Sequence, residues 1–226
     1  MTDPNPQPQS IEEGVYDLPL RLAPELEAER AGLRAHVLGA QRRLRAFAAR
    51  HSWSAAVRTP FAHSVRIFAD KSAFDRDLLA LCGLEPATRL PATYSAALEQ
   101  GVLVSVAPEL YRRLYPQGDE PDAFEKLLTH ELAHRLHVRL LDGDEQAMGP
   151  VWFYEGFALY AAEQLIGAAP QLDREQVWAV VGDAERGDYR GYVTVLRHFL
   201  KRADLPELVA HAGQEGFTAW LEQIDA

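Results

Sequence analysis

Two histidines four residues apart, His130 and His134, fall one above the other on one face of any helix that carries them. That spacing offers two imidazole nitrogens to a single Zn2+. Glu131, rotated by one residue, is placed to reach a water on such a metal without being the natural ligand, which is the position of a general base. A hydrolytic zinc site also needs a third protein ligand and an open fourth position. Glu155, in Trp152-Phe153-Tyr154-Glu155-Gly156-Phe157-Ala158 at the start of an apolar stretch, is the candidate.

These residues must be held by helices. From Pro121 to about Leu141 the pattern is helical, with Asp119 and Asp122 favourably placed near the positive end of its dipole. Leu127 and Val138 share the histidine stripe, so the face is apolar on either side of the site. A polar loop over 142–150 follows, and a second helix is expected from Trp152 to Ile166, ended by Gly167. Upstream, Pro24 to His51 reads as one long amphipathic helix or a broken pair. Ser64–Phe68, Ala92–Leu98 and Val102–Val106 read as strands, the last two joined by a turn at Glu99-Gln100-Gly101. A short helix over KSAFDRDLLALCG is stopped by Gly83. Beyond Pro170 the chain is expected to be helical near 172–181, 189–201, 205–212 and 217–224. The fold class is therefore α+β. Residues 1–12 form a proline-rich disordered tail, 13–60 an N-terminal helical segment and 61–226 the main domain, with sheet and active-site helix over 61–141 and a helical lobe over 151–226.

With His130-Glu131-Leu132-Ala133-His134 and WFYEGFALY both in place, the chain resembles the gluzincin metallopeptidases. In that group HExxH is followed by a glutamate ligand on the next helix, and the second segment is similar to the W-x-x-E-G-[FL]-A-x-[YF] stretch of its aminopeptidase-like branch. The resemblance spans roughly residues 90–205. It implies a zincin-like fold, Zn2+ on His130, His134 and Glu155, Glu131 as catalytic base, and peptide-bond hydrolysis. Tyr154 stands where the aminopeptidases commonly have Asn, and the spacer between the motifs is slightly longer than theirs. Residues 1–60 match nothing. A metzincin pattern fails, because its third histidine would fall at Leu140 and its turn glycine at His137. His137, three residues after His134 on the same face, could approach the metal, but reads rather as a helical histidine bonded to solvent or a carboxylate.

Hydrolysis of an amide also calls for a donor to the carbonyl oxygen as it becomes anionic. The Asp188–Leu196 segment resembles the tyrosine-glycine helix that carries this donor in gluzincins, which makes Tyr189 and Tyr192 candidates, with His198 a weaker one. Arg190 or Arg197 could hold a substrate carboxylate. The Gly-x-Met-Glu-Asn segment with which the aminopeptidases capture a free amine has no counterpart in GVLVSVAPELY. Val102–Val106 instead offers a backbone for strand addition if it lies at a sheet edge, which favours endo- or oligopeptidase action, with Glu99 or Glu109 left as possible amine partners.

Composition narrows the classes further. The 226 residues carry 23 Lys and Arg against 33 Asp and Glu, a net charge of −10 that argues against nucleic-acid binding. No apolar run is long enough for a membrane span, and MTDPNPQPQS has no basic-then-apolar leader pattern, so a cytoplasmic location is expected. The one cysteine, Cys82, excludes an intrachain disulfide and reads as a small buried hydrophobe in LLALCGL rather than a nucleophile. DGDE at Asp142–Glu145 lacks the ligand count of an EF-hand. The expected partner is a peptide or protein substrate; the oligomeric state is not legible. The rival class is a non-catalytic binding or regulatory module on the same fold, against which retention of Glu131 argues.

Overall fold

A computed structural model describes residues 8–116 and 119–226. A four-stranded sheet is built from β3 (Leu20–Leu22), β4 (Ser64–Phe68), β5 (Ala96–Glu99) and β6 (Val102–Val106), in the order β3-β4-β6-β5. β3, β4 and β6 are parallel, and β5 returns antiparallel on the edge. Every residue of β6 is buried, as expected of a strand covered on both faces, and its one polar side chain, Ser105, hydrogen-bonds to backbone carbonyls. The β5–β6 hairpin turns on Gln100 and Gly101, both at positive φ (48° and 74°), the two-residue turn whose twist matches the strands. A second, two-stranded ribbon pairs β1 (Gln9–Glu12) with β2 (Val15–Asp17).

The helices form the rest: α1 (Arg30–Arg50), α2 (Lys71–Leu81), α3 (Pro108–Leu114), α4 (Ala123–Leu140), α5 (Val151–Ala162), α6 (Arg174–Gly182), α7 (Tyr189–Phe199), α8 (Leu205–Ala212) and α9 (Phe217–Ile224). α4 packs against α1, α5 and β5, and α5 packs in turn on α7. One hydrophobic core runs through sheet and helical lobe, from Val65 and Leu103 to Trp152, Phe153, Phe157 and Phe199. Burying each of these large side chains stabilises by about 1.5–3 kcal/mol. No helix among the described residues is long and apolar enough to cross a membrane.

Several expectations need correction. Residues 9–12, assigned to a disordered tail, form β1; residues 1–7 lie outside the described residues. The stretch 13–60 is not all helical, since it holds β2 and β3 before a 3-10 turn over Pro24–Glu29 and then α1. Three-residue strands are too short to display a period of two, which is why they left no signal. α5 stops at Ala162 rather than Ile166, because Glu163 and Leu165 both turn left-handed (φ 55° and 59°). α4 begins at Ala123, two residues after Pro121. β6 is not an edge strand; β5 is. Cys82 is exposed at the end of α2 rather than buried.

Candidate metal centre

α4 presents His130, Glu131 and His134, and α5 brings Glu155 against them. The approach of α5 to α7 is set by the residue after Glu155. A Cβ at Gly156 would stand 2.9 Å from the Tyr192 carbonyl oxygen and 3.3 Å from Leu196 Cβ, so only glycine lets the helices meet this closely. Glu155 is thereby carried to full burial, at 0% exposure.

Three donor atoms converge. Nε2 of His130 and Nε2 of His134 are 3.0 Å apart, and Glu155 Oε2 lies 3.2 Å from the first and 3.7 Å from the second. Tetrahedral ligands held at about 2.1 Å from one ion are separated by about 3.4 Å. The separations found here bracket that value. Glu155 Oε2 is buried without an aligned hydrogen bond, although both imidazoles are at ion-pair distance. A buried acceptor left in that condition costs free energy unless a cation or donor meets it. Among the described residues this is the one group of histidine, cysteine or carboxylate donors with metal-site geometry.

The electrostatics separate the roles of the two glutamates. Burial would raise the Glu155 carboxyl, but His130, His134 and the Arg186 guanidinium outweigh it and hold the group ionised, at about 2. Burial also dominates at Glu131 and, with the negative charge of Glu155 outweighing part of the pull from His130, lifts it to about 7. Burial and the neighbouring His130 push His134 down to about 3, so its ring is neutral with a lone pair free to bind. For His130, burial lowers the proton affinity and Glu155 more than restores it.

A cleft of about 410 Å³ opens over the site. Its walls are Leu127 and Val138 of α4, the edge strand β5, and the tyrosines Tyr94, Tyr111, Tyr115, Tyr154 and Tyr189. Tyr189, the first of the two oxyanion-donor candidates, is among these residues. Its hydroxyl accepts Arg186 Nε–H at 3.1 Å, which leaves its own proton for another acceptor, and burial raises it to about 12, so it stays protonated.

Tyr192, the second oxyanion-donor candidate, lies outside the cleft. It is 1% exposed; its hydroxyl donates to the Glu185 carbonyl at 2.7 Å and accepts Gly187 N–H at 3.0 Å. His198 is likewise committed, at 2.7 Å from Asp225, and neither Arg190 nor Arg197 is among the cleft residues. Of the two amine candidates Glu99 lines the cleft and Glu109 does not. His137 is outside the donor group and is not bonded to solvent or a carboxylate as expected: it is fully buried, neither ring nitrogen has a hydrogen-bond partner among the described residues, it stacks on Phe157 with centroids 4.5 Å apart, and burial drops it to about 4. Arg186 was not foreseen. It donates through Nη2 to Glu155 Oε1 from the loop between α6 and α7, and no periodicity or spacing rule reaches a lone loop arginine.

No family model, no curated protein and no solved structure matches the chain.

Proposed function

We propose that the chain is a zinc-dependent peptidase of gluzincin type that cuts within peptides. The observation that carries this reading is the convergence of His130, His134 and Glu155 at ligand separations with Glu131 beside them in an open cleft. Three protein ligands of N and O type, with one side open to the cleft, are the donor set of a catalytic zinc site rather than a closed structural one. Bound there, the ion would supply Lewis acidity toward a substrate carbonyl.

The side chains supply the remainder. Glu131, beside the two histidines in the cleft, accepts the proton of the attacking water and passes it to the leaving amine nitrogen. Tyr189 donates its O–H to the carbonyl oxygen as negative charge gathers there. Leu127, Val138 and the tyrosine wall lower the polarity around the developing charge and so strengthen each of these interactions.

The sheet suggests where peptides lie. β5 pairs with β6 on one side only, and its residues 96–99 line the cleft, so an extended peptide can add to its free edge through backbone hydrogen bonds. Such pairing requires no chain terminus. Mass spectrometry of digests of a peptide and its N-acetylated copy tests this point: internal cuts in both are expected, whereas stepwise trimming of the free form alone would assign the cleft to an aminopeptidase, with Glu99 as the amine partner.

A further inference from the structure

A single guanidinium touches two groups of the site. Arg186 Nη2 donates to Glu155 Oε1, and its Nε donates to the Tyr189 hydroxyl at 3.1 Å. Its Cζ lies 5.9 Å from the Tyr94 ring. The loop that carries it is pinned on both flanks. Tyr192 holds the Glu185 carbonyl on one side and the Gly187 N–H on the other, and Asp188 caps α7 by accepting Gly191 N–H at 2.9 Å. Tyr192 sits in the core, so a buried anchor fixes the loop and the loop aims the arginine.

We propose that Arg186 is a positioning residue: it takes Oε1 of Glu155 so that Oε2 faces the two imidazoles, and orients the Tyr189 hydroxyl with the same fork, with Tyr192 as its anchor. The inference rests on the metal-binding reading above. A glutamate carboxylate turns readily about its last torsion, and among the described residues nothing else hydrogen-bonds to Oε1. Arginine suits this task because its N–H groups are fixed in one plane and reach two acceptors in set directions. A guanidinium near a dication also repels it. Here the arginine side chain is 44% exposed and bonds the oxygen turned away from the histidines, so solvent screens the repulsion and orientation prevails.

The test is zinc affinity, measured by competition with a chromophoric chelator in the parent, Arg186→Ala, Arg186→Lys and Tyr192→Phe. Arg186→Ala is expected to bind zinc about 10–100-fold more weakly, the usual loss when a partner of a metal ligand is removed. Arg186→Lys keeps the charge without the planar fork and falls between parent and Ala, and Tyr192→Phe shows a smaller loss in the same direction. Metal-free melting temperatures of Arg186→Ala and Tyr192→Phe serve as the control for folding, since a purely structural role would move them and leave zinc affinity alone. Zinc binding in Arg186→Ala as tight as in the parent, or tighter, overturns the proposal while leaving the metal site standing. A parent that binds no zinc overturns both. Should Arg186→Ala fail to fold, Arg186→Lys and Tyr192→Phe decide, and parental affinity in both overturns it.

Discussion

Glu155 Oε2 stands 3.2 Å from Nε2 of His130, across the contact between two helices, and it is this distance that turns a pair of helical histidines into a three-donor site. The purified protein is accordingly expected to hold about one zinc per chain, and His130→Ala, His134→Ala or Glu155→Ala each to lower that stoichiometry. Elemental analysis after dialysis checks this. Full occupancy in Glu155→Ala would remove the third ligand from the account.

Glu131→Gln is expected to keep both zinc and fold, because the amide has nearly the shape of the carboxylate, and to lose hydrolysis by at least about 10²-fold, because it accepts no proton. The comparison is of kcat at matched zinc content. Turnover equal to the parent's would take the proton transfer away from Glu131.

Tyr189→Phe is expected to lower kcat by about 10²-fold with little change in KM, the pattern of an interaction made chiefly in the transition state. Steady-state kinetics on one peptide suffices. An unchanged kcat would pass the role to Tyr94, Tyr154 or backbone donors in the same cleft.

A separate prediction concerns the C-terminus. The Asp225 side chain is buried and accepts from Trp178 Nε1 at 3.1 Å, while His198, Arg174 and Arg202 pair with it at 2.7, 3.1 and 2.7 Å. Burial raises its carboxyl, but these partners prevail and hold it at about 2, below the ordinary 3.8. A depressed carboxyl contributes stability above its unfolded value and loses it as pH falls through the folded one. The contribution is therefore whole above about pH 4 and fades between there and about pH 2. Asp225→Asn is expected to destabilise by about 1–3 kcal/mol at pH 7 and to melt more nearly with the parent near pH 2. Thermal melts across that range check it; a constant gap at all pH values would contradict the ion-pair account.

The residues that converge on the site were legible before the fold, because side-chain identity and helical spacing are local. His130, Glu131, His134 and Glu155 follow from two short motifs, and the structure brings all four to one cleft. Helices α2, α4 and α6 to α9 follow from periodicity and caps, and β4 and β6 from their β-branched residues. What needs tertiary packing was not legible. Tyr189 and Tyr192 occupy the same helix and read alike, yet the rotation of α7 sends one hydroxyl to the cleft and the other to the 185–187 backbone. His137 resembles its neighbours in sequence, but packing against Phe153 and Phe157 removes it from the site. Arg186 and the sheet order, which made β5 rather than β6 the edge, depend on how distant segments meet.

Metal-dependent peptide cleavage is tested most directly by digestion of a mixed peptide library with the parent protein before chelation, after chelation, and after return of about one equivalent of zinc. Cleavage that stops with the chelator and resumes with zinc is the expected result. Cleavage indifferent to the chelator, or none with the site fully zinc-loaded, would contradict the account, the second outcome making this fold a binding module.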